Sequence, residues 1–218
     1  MRPDIDTWVL DLDNTLYPPS TGLGDQINTR IREYLSNHFG TDEAGARRIQ
    51  SELIASHGTT LHGLMTTEGI EAADYLAFEH RIDYSVLRPD GHLAAAIAAL
   101  PGRRFVFTNG SAYHAEQALD RLALTDHFDG IFDILASNLI PKPYPASYRL
   151  FVDRFGIDPT QTAFFDDLQV NLDVPDQLGM ATIWVGGEPG PGPAQYEVVG
   201  PRRRRVWNLA AYLSSLTS

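Results

Sequence analysis

Short apolar runs recur along the chain, and each ends on a polar or glycine-bearing turn. Trp8-Val9-Leu10 stops at Asp11, and Phe105-Val106-Phe107 stops at Thr108-Asn109-Gly110. Residues 131–135 end shortly before Lys142-Pro143, Ala163-Phe164-Phe165 ends at Asp166-Asp167, and residues 182–185 end at Gly186-Gly187. Runs of this length, rich in aromatic and β-branched side chains, predict strands buried on both faces. Between them the apolar spacing changes to the helical period. Ala115, Ala118, Leu119 and Leu122 share one helix face, as do Tyr148, Phe151, Val152 and Phe155, with Gly156 as the stop. Strands alternating with helices predict an α/β fold: a Rossmann-like, mostly parallel sheet with helices on both faces.

The alternation breaks after the first strand. From about residue 21 to residue 87 there is no strand pattern. Ile27, Ile31, Tyr34, Leu35 and Phe39 mark an amphipathic helix closed by Gly40. Thr41 or Asp42 is placed to cap the next, which carries Ile49, Leu53 and Ile54, and residues 70–78 suggest another. The expected organisation is an α/β core, residues 1–20 and 88–218, with a small helical cap, residues 21–87, inserted after the first strand and lying over the sheet. Packing on the flank of the sheet is the alternative. Residues 186–201 turn Gly/Pro-rich, which predicts a loop or flap. The four arginines 202–205 read as a solvated surface patch or as partners for the acidic body.

Composition narrows the function classes. The 218 residues include 17 Lys and Arg against 28 Asp and Glu, a formal charge of −11. Such a chain repels a phosphate backbone, so no nucleic-acid partner is expected. A small phosphorylated molecule can still bind if a divalent cation stands between it and the protein. There is no cysteine, which excludes disulfides, thiolate nucleophiles, Fe–S clusters and Cys-ligated zinc. The start is acidic and lacks the basic and apolar regions of a secretory signal, and the longest apolar run, residues 93–100, is too short to cross a bilayer. A cytoplasmic protein without a membrane partner, monomer or homodimer, is the expectation.

The candidate chemistry stands at the strand ends. Asp11 and Asp13 leave the first strand two residues apart, a spacing that puts extended side chains on one side. Adjacent carboxylates need a cation or a shared proton, and Mg²⁺ is a hard ion that suits them and leaves room for a phosphate. Thr108-Asn109-Gly110 offers a hydroxyl and backbone N–H groups at a strand-to-helix turn, which suits phosphate oxygens. Lys142 can bridge a nucleophile and a phosphoryl oxygen. Asp166 and Asp167, with Asn171 beyond them, complete a cation site. Each has a plain structural reading too: capping carboxylates, a glycine turn, a solvated lysine. Their occurrence in order, each at or just beyond a predicted strand end, is the specific feature.

With these motifs the sequence resembles the haloacid dehalogenase-like hydrolase superfamily, whose four motifs map on residues 11–15, 108–110, Lys142 and 166–171. It resembles more narrowly the pyrimidine 5′-nucleotidase branch, through Asp13-Asn14-Thr15-Leu16-Tyr17-Pro18, Gly58-Thr59-Thr60-Leu61-His62-Gly63-Leu64-Met65, Phe107-Thr108-Asn109-Gly110 and Pro141-Lys142-Pro143. The Gly/Pro-rich stretch has no role in that family that we can assign, and Pro175 implies a later helix start than the family pattern. The resemblance implies a Mg²⁺-dependent phosphomonoester hydrolase with an aspartyl-phosphate intermediate. It makes Asp11 the nucleophile and Asp13 the proton donor and acceptor. Thr108 and Lys142 would bind phosphoryl oxygens, with Thr15, Asn109 and Gly110 also at the substrate. It implies a metal held by Asp11, the Asp13 backbone carbonyl and Asp167, with Asp166 and Asn171 near it or linked through water. Thr59, Thr60 and His62 of the helical insert would read the substrate, a small phosphorylated metabolite and most specifically a pyrimidine nucleoside monophosphate. His57, His80 and Tyr17 are further polar candidates there. Other small phosphate esters (a sugar phosphate, pyridoxal phosphate, nicotinamide mononucleotide), a phosphomutase and a non-catalytic binding module are the alternatives.

Overall fold

The computed structural model describes residues 5–187 and 196–217. Seven strands, β1 (Thr7–Leu10), β2 (Arg103–Phe107), β3 (Gly130–Phe132), β4 (Thr162–Asp166), β5 (Ala181–Val185), β6 (Tyr196–Val198) and β7 (Arg203–Val206), form one sheet in the order β3-β2-β1-β4-β5-β7-β6. Every neighbouring pair is parallel except β6 with β7. The chain is thus α/β with a mostly parallel sheet, as its apolar runs predict.

Between β1 and β2 the chain forms α1 (Leu23–Phe39), α2 (Glu43–His57), α3 (Thr60–Glu68), α4 (Ala72–Glu79) and α5 (Gly91–Ala98). Then follow α6 (Ala112–Leu122) after β2, α7 (Pro145–Phe155) after β3, α8 (Asp173–Leu178) after β4 and α9 (Leu209–Ser214) after β7. The alternation in β1 shows the two faces. Trp8 and Leu10 point into a core shared with Leu93, Ile97, Leu119, Phe165 and Leu213, whereas Val9 joins Phe105, Phe107, Phe164, Tyr148 and Phe151 on the other side. Helices α1 to α4 carry a third core of their own, with Leu35, Leu53, Leu64 and Tyr75, joined by Ile134 from the turn after β3. Asp42, not Thr41, caps α2: its carboxylate accepts from Gly45 N at 2.8 Å.

Three expectations need correction. The third apolar run is a strand only to Phe132, because Asp133 turns the chain by accepting from Ala136 N and Ala112 N, each at 2.8 Å. The arginine run is not a surface patch but mostly strand β7, paired with β5; the other reading, partners for acidic groups, holds for Arg203 with Asp173 and Arg205 with Glu197. Its stems are half-buried, and its charges are answered locally: Arg203 by Asp173 at 2.9 Å, Arg205 by the Trp184 ring at 4.7 Å. Of the Gly/Pro-rich stretch, Tyr196–Val198 is strand β6, and residues 188–195 lie outside the described residues. Pro175 stands in the first turn of α8, which starts only after a short 3-10 turn at Gln169–Leu172.

Register sets up the site. Leu10 is level with Val106 on one side and Phe165 on the other, so the next residues of three adjacent strands emerge together. They are Asp11, Thr108 one position further along, and Asp166.

Candidate active site

Asp11 is the first residue beyond β1 and is only 7% exposed. One of its oxygens accepts from Lys142 Nζ at 2.8 Å and the other from Thr15 Oγ1 at 3.2 Å. Lys142 is buried, and its ammonium also donates to Asp166 Oδ2 at 2.6 Å and to the Phe107 carbonyl at 2.9 Å. Three acceptors match its three protons. Asn109 holds the backbone of Lys142 at both ends: its Oδ1 accepts from Lys142 N at 2.7 Å and its Nδ2 donates to Lys142 O at 3.1 Å. Thr108 is buried, and its hydroxyl accepts from Gly110 N at 2.9 Å. Asp166 is fully buried and accepts from Asn171 Nδ2 and Leu168 N, each at 2.9 Å.

Asp11, Asp166 and Asp167 each offer an oxygen, and these lie within 4.8 Å of one another. Burial raises the Asp11 carboxyl well above its ordinary range; Lys142 opposes this, while Asp166, Asp13 and Asp167 add to it. Asp167 is pushed up to about 6, first by burial and then by Asp166. Burial would lower the Lys142 ammonium, but Asp11 and Asp166 outweigh it and raise its pKa. Three carboxylates around one lysine leave negative charge uncompensated. An all-oxygen set in this state fits a hard divalent cation such as Mg²⁺.

Asp13 stands apart. The chain turns after Leu10, so the extended-strand spacing that would send Asp11 and Asp13 to one cluster does not apply. The Asp13 carboxylate is outside the cluster just described. Its Oδ1 accepts from His114 Nε2 at 2.7 Å and also from the Tyr17 hydroxyl. His114 is fully buried; its Nδ1 meets Tyr84 OH at 2.9 Å, and its ring stacks on His80 at 4.4 Å. His80 in turn meets Ser111 Oγ at 3.0 Å. Burial alone would raise the Asp13 carboxyl, but the charge and hydrogen bond of His114, with the Tyr17 hydroxyl, hold it down at about 2. For His114, burial lowers and Asp13 raises, and Asp13 prevails.

The insert residues fall elsewhere. Thr59 caps α3, its hydroxyl accepting from His62 N at 3.1 Å. Thr60 is buried, whereas the His62 ring lies 5.7 Å from that of Tyr144, two residues past Lys142. None of these three hydrogen-bonds the acidic cluster among the described residues. Beside the cluster a cleft of about 700 Å³ is lined by Asn14, Thr15, Tyr17, Asp167, Trp184 and Trp207 among others. His114 is the partner of Asp13 that the motifs do not mark. Its local signal is faint: a histidine in the first turn of the helix that follows Thr108-Asn109-Gly110.

The family profile described as haloacid dehalogenase-like hydrolase matches residues 5–175. Phosphate metabolism protein 8 of Saccharomyces cerevisiae is 28% identical over 191 residues, 79% of this chain and 59% of the yeast protein. The (S)-2-haloacid dehalogenase of Xanthobacter autotrophicus is 28% identical over 99 residues, 45% of this chain and 39% of that protein. The chain therefore spans less than two thirds of the length of either relative. Among solved structures, a HAD-hydrolase of Bacillus subtilis bound to magnesium superposes with a TM-score of 0.61 at 16% identity, covering 98% of this chain and 99% of that one. A dehalogenase with an intermediate complex superposes with a TM-score of 0.59 at 16% identity, covering 100% of each chain. At such identities these structures show a shared fold.

Proposed function

The chain belongs to the haloacid dehalogenase-like hydrolases, and from that membership we propose that it is a phosphomonoester hydrolase acting through an aspartyl-phosphate, with pyrimidine nucleoside monophosphates as its preferred substrates. The observation that carries the choice of phosphorus over carbon is Asp13 and its partners. Displacing a halide from carbon needs no proton, whereas an alkoxide leaving phosphorus does. A second acid, two positions beyond the nucleophile on the same loop and held by His114 and Tyr17, answers that need.

Asp11 would attack phosphorus while the ester oxygen departs with the bonding pair and a proton from Asp13. Asp13 would then take a proton from the water that releases phosphate from Asp11. Its partners keep Asp13 ionised, the form that accepts a proton in the second step, and the negative charge of an arriving phosphate would raise its pKa toward the protonated form that the first step needs. Lys142, fixed by Asn109, would neutralise charge on the transferring group, and Thr108, Gly110 and Thr15 would contact it. Mg²⁺ would be held by Asp11, Asp167 and the Asp13 carbonyl, backed by Asp166 and Asn171. When bound, it supplies charge neutralisation at the phosphate.

In this reading residues 21–87 are a cap, and its α2–α3 corner selects the leaving group. A Cβ added at Gly58 would stand in ordinary contact with the Tyr144 ring, at 3.4 Å, which puts the corner beside the lysine loop. Because Thr59 and Thr60 have structural tasks in this conformation, His62 is the residue most exposed to such a role. The resemblance of Gly58–Met65 and of the first motif to pyrimidine 5′-nucleotidases supports the substrate class. The name of the yeast relative supports phosphate chemistry. The test is phosphate release across nucleoside monophosphates, other small phosphate esters and 2-haloacids, with Mg²⁺ and with excess chelator. Mg²⁺-dependent release, fastest from UMP or CMP, is expected. Halide release without phosphate release would overturn the reading.

A further inference from the structure

Asp13 receives two donors on a single oxygen. His114 Nε2 and Tyr17 OH both donate to Oδ1, and among the described residues no hydrogen bond falls on Oδ2. The donors come from different parts of the chain, Tyr17 from the same loop and His114 from α6. Both are almost fully enclosed, while the Asp13 side chain keeps 31% exposure. His114 is itself held. Tyr84 OH meets its Nδ1, so Nε2 can stand as the N–H end, and the His80 ring lies on its face with only 11° between the planes.

We propose that His114 and Tyr17 are positioning residues that, by filling one oxygen of Asp13, leave Oδ2 as the single oxygen that exchanges a proton with the leaving group and then with water. The inference rests on the phosphomonoesterase reading above. A carboxyl oxygen has two lone pairs in its plane, and two donors converge on Oδ1 here. A proton arriving on Asp13 therefore goes to Oδ2. In the first step Oδ2–H gives its proton to the ester oxygen as that oxygen's bond to phosphorus breaks and the Asp11–phosphorus bond forms. In the second, water attacks phosphorus, its proton passes to Oδ2, and the Asp11–phosphorus bond breaks. Oδ1 accepts from Tyr17 and His114 throughout, so the carboxyl plane does not have to turn between steps.

The experiment measures kcat/KM for phosphate monoesters from dinitrophenyl to alkyl, with Mg²⁺ present. This ratio reports the phosphorylation step, where a poor leaving group needs the proton and dinitrophenolate does not. Asp13→Asn sets the scale, with a loss of about 10²–10⁴-fold on alkyl esters. Tyr17→Phe, which removes only a hydroxyl, is expected to lose about 10–100-fold on alkyl esters, a part of that general-acid factor, and to leave dinitrophenyl phosphate nearly unchanged. His114→Ala is expected to steepen the leaving-group dependence in the same way, and His114→Gln, which keeps an N–H donor, to recover part of it. On the Asp13→Asn background, Tyr17→Phe is expected to add nothing. An active wild type whose Tyr17→Phe variant loses the same factor on every ester, or whose losses simply multiply with Asp13→Asn, would overturn this inference alone. A wild type inert toward every ester would overturn the phosphomonoesterase reading and this inference together.

Discussion

A single ammonium group sits between two carboxylates that would otherwise repel each other. Lys142 binds Asp11 and Asp166 while itself only 2% exposed. Deleting one partner of a buried pair strands the other, at a cost of roughly 3–5 kcal/mol. Lys142→Met is therefore expected to lower unfolding stability by about that amount in chelator, with loss of turnover; urea denaturation measures it. His80 gives a pH signature. Burial, and then the neighbouring His114, hold it at about 3, below its ordinary 6.5. Between those values the unfolded chain binds the proton more readily, so stability falls as pH drops below about 6.5. His80→Gln is expected to lose less stability than wild type between pH 7.5 and 5.5, by up to roughly 1 kcal/mol. Parallel losses in the two proteins would defeat this. That Asp11, Thr108, Lys142, Asp166 and Asp167 gather could be read from the sequence because each stands at or soon after an apolar run; that Asp13 turns away from them could not. His114 could not be read either, since its meaning arises from a contact with Asp13 across 101 positions.

At the scale of elements, α6 depends on a residue outside it. Asp133 accepts from Ala112 N in the first turn of α6 and from Ala136 N in its own turn. Asp133→Ala removes the acceptor of two partly buried N–H groups, a loss of about 0.5–1.5 kcal/mol for each hydrogen bond. Because α6 carries His114, the variant is expected to lose activity as well as thermal stability, and Asp133→Asn, with one acceptor left, to lose less of both. Most strands and helices could be placed from periodicity alone. Strand β7 could not, because three of its four residues are arginines and no apolar alternation remains. It is a strand because β5 offers a ladder and the arginine stems cover the sheet edge region. The close of the turn before β2 was also silent in the sequence. Gly102 has φ +78°, and a Cβ there would stand 1.9 Å from the Asp6 carbonyl.

Over the whole molecule, the parallel sheet brings residues from four stretches of sequence to one edge, and the excess negative charge there sets a debt that a cation can cancel. Ligand binding to the folded state alone raises stability, by about 2.7 kcal/mol at a hundredfold excess over Kd. Mg²⁺ is expected to raise Tm in a concentration-dependent way, and Asp167→Asn to remove most of that rise. The succession of helices between β1 and β2 was legible at this scale because a break in strand spacing is a coarse signal. The docking of the insert on Tyr144 and Ile134 was not, since it depends on side chains meeting across the two parts. One contact gives the protein its own optical gauge. The Trp184 indole N–H donates to the main-chain carbonyl of Asp167 at 2.9 Å, and the Arg205 guanidinium lies over its ring. Indole emission responds to nearby charge, so filling the acidic cluster is expected to shift the intrinsic fluorescence of the unmodified protein. Titration with Mg²⁺ would then report occupancy in real time without any substrate, and Trp184→Phe is expected to weaken the signal, leaving the share of Trp207 in the same cleft, while Trp8 goes on emitting from the core.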